Sequence, residues 1–342
     1  MKITIKEIAK EANVSIATVS MVINKKDENI TEATRNRVLD VVKKYNYIPN
    51  AMAGSLVTQR THIIGLVLPD IMNPFFPGIA RGAEDKANQS GYSIIFCNSD
   101  DKLEVEEKYI ESLTKKMADG IIIAHSSSSE KMSEVLERCK VPIILIDRDF
   151  DNDNICGKVL VDNASGACRA VNYLIENGYK KIAYLSGSLK TRTAYDRLEG
   201  YRKALKDNNI EFCENLVKYG EYRIEWGREG VKRLLEENEK FDAIFCGNDL
   251  IAIGAMKELK ENGYSIPKDV GVMGYDDIYM ASLVEPSLTT VRQPNYQMGY
   301  KAMELLEERL KKAPGSRSSS GNLKTITLDT EIVVRDSVRK IK

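Results

Sequence analysis

The chain has 342 residues, 43% hydrophobic and 29% charged, with 50 Lys and Arg against 50 Asp and Glu. That length exceeds one ordinary domain, and the apolar fraction is enough for a sizeable core, so a globular chain of two or three units is expected. The neutral total says nothing about partners, but residues 1–60 hold ten Lys/Arg against six Asp/Glu, so a mildly basic head precedes an acidic body. A nucleic-acid contact would use such a head, although a solvated face would show the same surplus.

The six cysteines, at 97, 139, 156, 168, 213 and 246, form no Cys-x-x-Cys pair and read as reduced core thiols. With His62 and His125 as the only histidines, a zinc site has little to draw on. The N-terminus carries no apolar run of signal-peptide length, and no segment approaches the length of a membrane span. The expectation is a cytoplasmic protein with no membrane association, no metal and no cofactor.

Thr4 followed by Glu7 reads as a capping box, so a first helix is expected from Ile5, with Ile5, Ile8, Ala9 and Ala12 at helical spacing. Asn13 makes a short turn, and Ser15 caps a second helix reaching about Ile23. Val19, Val22 and Ile23 form its apolar face, while Ile16, Ala17, Ser20 and Met21 fall on the opposite one. A third helix is expected from Thr31, packing Val38, Leu39, Val42 and Tyr45. Three short helices with a tight turn between the first two suit a helix-turn-helix, although periodicity alone fits a generic helical bundle equally well.

Particular residues separate these alternatives. Ile8-Ala9, Val14-Ser15, Thr18-Val19-Ser20, Val22-Ile23-Asn24, Thr34-Arg35 and Tyr47-Ile48-Pro49-Asn50 resemble the N-terminal signature of the lactose-repressor (LacI/GalR) family. The resemblance implies that Ile16, Ala17 and Met21 sit at base-reading positions of a recognition helix. It implies that Ser15, Thr18 and Asn24 meet phosphates or brace the turn. Met21 replaces an Arg often found there, which removes a bidentate guanine contact. Residues 49–60 would be the family's hinge, helical only on DNA, with Asn50 as its cap, Ala53 within it and Leu56 wedged into the minor groove. Gly54 weakens such a helix further.

From Ile63 onward, short apolar runs alternate with amphipathic stretches. The runs are Ile63–Leu68, Ser93–Cys97, Gly120–Ala124, Val141–Ile146, Lys181–Leu185, Ala243–Cys246 and Val270–Met273. Helical patterns such as Arg81–Ser90, Val105–Lys116, Ala164–Asn177, Leu198–Asn208 and Ile251–Asn262 lie between them. This is α/β architecture with parallel sheets covered on both faces, and the units are too many for one sheet. Two doubly wound lobes are expected, with a break near Val161-Asp162. The expected domains are a helix-turn-helix at 1–48, the hinge at 49–60 and a core at 61–342. Within the core, lobe 1 takes 61–161 and 292–323, and lobe 2 takes 162–291 and 324–342. Lys301–Lys311 reads as a late helix, 313–322 as a surface loop, and the tail as two short strands.

No Gly-x-Gly-x-x-Gly follows the first strand, and neither a P-loop nor a Gly-x-Ser-x-Gly elbow occurs, so nucleotide-dependent and serine-hydrolase chemistry is disfavoured. Open parallel sheets bind ligands beyond the carboxyl ends of their strands. At such ends stand Asn73, Phe75, Phe76, Asp147, Arg148, Arg197, Tyr222, Asn248 and Asp276, with Gln293 at the lobe crossover. Carboxylates, amides and guanidinium groups suit vicinal hydroxyls, and aromatic rings cover the apolar faces of a sugar. Each residue singly has an equally good structural role: Asp147 with Arg148 as an ion pair, or Phe75 and Phe76 as core. Their joint placement favours a site.

The run Pro69-Asp70-Ile71-x-Asn73-Pro74-Phe75-Phe76-Pro77, with Ala80-Arg81-Gly82-Ala83-Glu84-Asp85, Asn98-Ser99-Asp100, Asp147-Arg148 and Gly274-Tyr275-Asp276-Asp277-Ile278, resembles the same family's core, and most nearly its ribose-responsive members. That resemblance implies a type-I periplasmic-binding-protein fold and a pentose pocket formed by those ten residues. Tyr222 stands where ribose-binding proteins have Phe. The function implied is a homodimeric repressor on a pseudo-palindromic DNA operator, controlled by a sugar effector, ribose or a related pentose. Another monosaccharide or a phosphosugar is the alternative effector. A sugar-binding protein without operator function, or a sugar-processing enzyme, would lack a use for the helix-turn-helix.

Overall fold

The structure is a computed structural model describing residues 3–48, 60–126, 130–311 and 323–339. It divides into two compact units, Met1–Thr61 and His62–Lys342, each with its own core.

In the first unit α1 (Ile5–Glu11), α2 (Ile16–Ile23) and α3 (Glu32–Lys44) enclose Ile8, Ala12, Val19, Val22, Val38 and Val41. The Thr4 N–H donates to Glu7 Oε2 at 2.6 Å, closing the first turn of α1. The Thr18 N–H donates to Ser15 Oγ at 3.0 Å, which caps α2. Thr31 is the residue before α3, not its first residue. Leu39 and Tyr45, expected in the core, are exposed, and Val41 is buried instead. The stripe that meets α1 and α2 runs through Val38, Val41 and Val42, at i, i+3 and i+4, and Leu39 is turned about 100° away from Val38. Tyr45 is already the C-cap residue, and its ring lies beside Lys44 Nζ. The expected hinge contacts Asn50, Ala53 and Leu56, and the loop expected at 313–322, lie outside the described residues.

The second unit has two six-stranded sheets. The first is built from β1 (Ile63–Leu68), β2 (Ser93–Asn98), β3 (Gly120–Ile123), β4 (Ile143–Ile146), β5 (Ile155–Val161) and β11 (Lys324–Leu328), in the order β11-β5-β4-β3-β1-β2 and parallel throughout. Its helices are α4 (Phe75–Gln89), α5 (Leu103–Lys115), α6 (Glu130–Arg138) and α11 (Asn295–Leu310). The second sheet contains β6 (Ile182–Ser186), β7 (Val217–Tyr219), β8 (Ala243–Cys246), β9 (Gly271–Asp276), β10 (Thr289–Arg292) and β12 (Glu331–Val333). Their order is β12-β10-β9-β8-β6-β7, with only β12 antiparallel. Helices α7 (Asn163–Glu176), α8 (Arg192–Asp207), α9 (Ile224–Glu236) and α10 (Asp249–Glu261) cover it.

The continuous apolar runs arise because both faces of each sheet are buried. Successive side chains point to opposite faces. Leu66, Ile122 and Ile144 therefore join α4 and α11 in one core, while Val67, Ile121, Ile123 and Leu145 join α5 and α6 in another. In the second lobe Tyr184 and Phe245 pack with α7 and α8, and Leu185 and Ile244 with α9 and α10. Gly82 of α4 lets two helix backbones touch, since a Cβ there would lie 1.9 Å from the Tyr296 carbonyl oxygen of α11.

The chain leaves the first sheet after Val161 and returns to its lobe after Arg292. The last crossing differs. Residues 324–328, expected in the second lobe, pair with β5 in the first, from Lys324 opposite Gly157 to Leu328 opposite Val161. Only β12 returns to the second sheet, so β11 closes an edge that β5 would otherwise leave open. All six cysteines are free, but Cys213 is exposed rather than part of a core.

Candidate functional site

The surface of α2 is divided as its sequence suggests. Val19 and Val22 hold it to the core, whereas Ile16, Ala17 and Met21 point outward, with Ile16 45% and Met21 40% exposed. Ser15 and Thr18 brace the start of the helix through a 2.8 Å contact between their hydroxyls. The Asn24 side chain donates to the Ser20 carbonyl at 2.9 Å, which fixes its end. A short helix with apolar side chains kept out of its own core fits the major groove of DNA.

In the second unit the ten residues picked out for a ligand all line one cleft of about 1010 Å³. The first lobe contributes Asn73 before α4, Phe75 and Phe76 at its start, and Asp147 and Arg148 after β4. The second contributes Arg197 from within α8, Tyr222 after β7, Asn248 at the cap of α10 and Asp276 at the end of β9. Gln293 sits in the crossover after β10.

Hydrogen bonds hold these groups in place. Asn73 Oδ1 accepts from the Phe75 N–H at 3.1 Å, and Asn248 Oδ1 from the Ile251 N–H at 2.9 Å. The Phe75 and Phe76 rings meet edge to face at 5.2 Å and belong to the lobe core as well as to the cleft lining. Arg197 donates to Asn163 Oδ1 at 2.9 Å and to the Gly247 carbonyl at 2.5 Å, and its guanidinium stacks 3.8 Å above the Tyr275 ring. Gln293 Nε2 donates to Asp276 Oδ1 at 2.7 Å. Asp147 and Arg148 are in ion-pair range at 3.8 Å, but the shorter contact of Arg148 is to Asp101 Oδ1, at 2.5 Å.

Burial dominates the electrostatics. It pushes the Asp276 carboxyl up to about 7, against the pull of Arg197 and Gln293. It likewise raises Asp147, with Arg148 and Arg197 opposing. Glu106 of α5, wholly buried with its Oε1 accepting from the Ser99 hydroxyl at 3.2 Å, is also pushed to about 7, chiefly by burial. Neither Asp101 nor Glu106 was among the expected site residues. The signal for Asp101 was available, because it follows the end of β2 just as Asp147 follows β4.

Polar atoms of cleft residues that are buried without a hydrogen-bond partner among the described residues include Asp147 Oδ1, Arg148 Nε, Tyr222 Oη, Asn248 Nδ2 and Gln293 Oε1. Each such atom costs roughly 1–3 kcal/mol unless something satisfies it. Donors and acceptors are mixed among them, which is the complement of a polyhydroxylated molecule. Two lobes around such a cleft, preceded by a helix-turn-helix, define a DNA-binding regulator whose core takes a small polar ligand.

Residues 4–50 match the model of the bacterial regulatory proteins of the lacI family, and residues 61–327 that of the periplasmic binding proteins and sugar-binding domain of the LacI family. The chain belongs to the LacI family. It is a sugar-responsive DNA-binding transcriptional repressor, and its relatives are regulators, not enzymes. It is 42% identical over 342 residues to the HTH-type transcriptional regulator RegA of Clostridium acetobutylicum, covering 99% of this chain and 100% of that one. It is 37% identical to the ribose operon repressor of Halalkalibacterium halodurans, over 91% of each. The Lac repressor dimer bound to operator and the anti-inducer ONPF superposes with a TM-score of 0.86 at 25% identity, covering 98% of this chain and 99% of that one. Among the described residues no helix is long and apolar enough to cross a membrane.

Proposed function

We propose that the effector is a monosaccharide, ribose or a related pentose, held between the lobes by Asn73, Phe75, Phe76, Asp147, Arg148, Arg197, Tyr222, Asn248, Asp276 and Gln293. The observation that carries this reading is the set of unpartnered buried polar atoms on residues that line one cleft, beside two aromatic rings. The similarity to a ribose operon repressor supports it. The Tyr222 hydroxyl adds a polar group that a Phe would lack, and this favours including sugars with other hydroxyl patterns among the candidates. The protein acts in the cytoplasm as a homodimer on a pseudo-palindromic operator. One recognition helix covers only a half-site, and the Lac repressor that superposes on this chain is a dimer.

The test is a thermal-shift panel of pentoses, hexoses and their phosphates, followed by operator binding with the best ligand. A ligand of the native state raises the melting temperature by mass action. One pentose should stand out and change operator affinity. If no sugar in the panel shifts the melting temperature, the effector assignment falls.

For DNA, the reading assigns base contacts to Ile16, Ala17 and Met21, and backbone or turn-bracing roles to Ser15, Thr18, Ser20 and Asn24. It assigns hinge contacts to Asn50, Ala53 and Leu56. Ile16→Ala and Met21→Ala should each lower operator affinity by about tenfold, the scale of one base contact. Affinity for random DNA, which is mainly electrostatic, should change little. Fluorescence anisotropy on both DNAs at one salt concentration measures this, and equal weakening on both would remove these residues from the base-reading set. Since both side chains lie outside the core of their unit, the melting temperature should stay within a degree or two.

A further inference from the structure

Among the described residues, Arg148 is the only cation that the first lobe buries in the cleft, with 4% of its side chain exposed. A buried arginine facing a ligand cleft ordinarily offers a planar fork of donors suited to phosphate or carboxylate. Here one arm of the fork, Nη1, is already engaged, and the charge of the guanidinium is paired with a carboxylate. Nη1 donates to Asp101 Oδ1 at 2.5 Å and to the His125 carbonyl at 3.0 Å. Asp101 comes from the loop between β2 and α5, far from Arg148 in sequence, and its backbone is held at φ 54°, a left-handed conformation that Asp tolerates better than most residues. The Asp101 N–H donates to the Pro69 carbonyl at 3.2 Å, which anchors the turn. The carboxylate is half-exposed, lines the cleft, and stands over the one guanidinium that an anion would seek.

The second-lobe cation is occupied as well. Arg197 is bound by Asn163 and the Gly247 carbonyl and lies 3.8 Å from Asp276. An anion entering the inner cleft therefore meets Asp101, Asp147 and Asp276 beside guanidinium groups whose charge is already paired with carboxylates. A hydroxyl group meets no such barrier, because it can donate to the carboxylates and accept from Arg148 Nε or Asn248 Nδ2. The remaining cations, Lys102, Lys190 and Arg223, lie at the exposed rim, where water and salt screen them.

We infer that Asp101 is a specificity-determining residue: by occupying Arg148 it restricts the inner cleft to uncharged polyhydroxy ligands and excludes phosphorylated ones. The inference rests on the proposal that this cleft is the effector site, and its test separates the two. Full-length wild-type protein and the D101N and D101E variants are titrated by calorimetry with ribose, ribose 5-phosphate and inorganic phosphate at fixed ionic strength. Wild type should favour ribose over ribose 5-phosphate by at least tenfold and show no phosphate binding at millimolar concentration. D101N, which keeps the shape of the side chain and removes its charge, should bind inorganic phosphate measurably and gain at least tenfold for ribose 5-phosphate. D101E should keep the wild-type preference. If D101N, folded by its thermal transition, binds phosphate and ribose 5-phosphate no better than wild type, or if wild type prefers the phosphosugar, the inference is overturned. If wild type binds no pentose, the effector proposal falls, and the change in phosphate affinity between wild type and D101N still decides the role of Asp101.

Discussion

Asp276→Asn should weaken effector binding by tenfold or more and at the same time stabilise the unliganded protein at pH 8. Asp276 is fully enclosed at the end of β9, and burial pushes its carboxyl up to about 7. In the unfolded chain the same group ionises near 3.9. Between those values the native state holds a proton that the unfolded state has released. Native stability therefore falls as pH rises from about 4 to about 7, and the whole penalty is present above 7. Asn carries no charge to bury and can still accept from Gln293. After allowance for the lost attraction to Arg197, a gain of about 1–2 kcal/mol at pH 8 is expected, fading to nothing near pH 4. The sugar loses a charged acceptor, which is worth about 1.5–3 kcal/mol, so binding weakens. Thermal unfolding at pH 5 and pH 8, with calorimetric titration at pH 8, measures both halves. A variant less stable than wild type at pH 8, or one with native effector affinity, would show that Asp276 is a structural acid and not one retained for the ligand.

Arg197→Ala should remove effector binding and also cost the fold about 3–5 kcal/mol, because it strips one partner from a buried charged network. Arg197 satisfies Asn163 of α7 and the Gly247 carbonyl after β8, stacks on Tyr275 of β9, and faces Asp276. Its removal leaves two buried acceptors and a carboxylate without their cation. Arg197→Lys should recover little, since an ammonium can neither stack flat on Tyr275 nor reach Asn163 and Gly247 together. Urea unfolding of the three proteins reads the stability, and a loss below about 1 kcal/mol for the Ala variant would falsify the network account. The two neighbours are thus expected to separate cleanly. Loss of either should weaken effector binding, but Arg197 should support the native state and Asp276 strain it.

Much of this was legible in the residues alone. Alternating apolar runs and amphipathic stretches encode elements locally, so β1, β8 and α7 appear close to where their periodicity places them. Ser15 before Ile16 and Thr4 before Ile5 mark helix starts through chemistry that acts within three residues. The rule that ligands collect at strand ends brought residues such as Asn73, Asp147 and Asp276 to one cleft, because in a parallel sheet those ends all lie on one edge, whereas Arg197, expected at a strand end, comes from within α8. The rest was decided by contacts between distant segments. Whether 324–328 extends one sheet or the other depends on which open edge it meets, and its own sequence suits either. Leu39 looks as apolar as Val41, and only the directions of α1 and α2 determine which is covered. The charge state of the cleft is likewise a tertiary property. Arg148 reads as the ion-pair partner of Asp147 or as a donor to sugar hydroxyls until the turn after β2 brings Asp101 within 2.5 Å of it, and Asp276 reads as an ordinary carboxylate until folding removes its water.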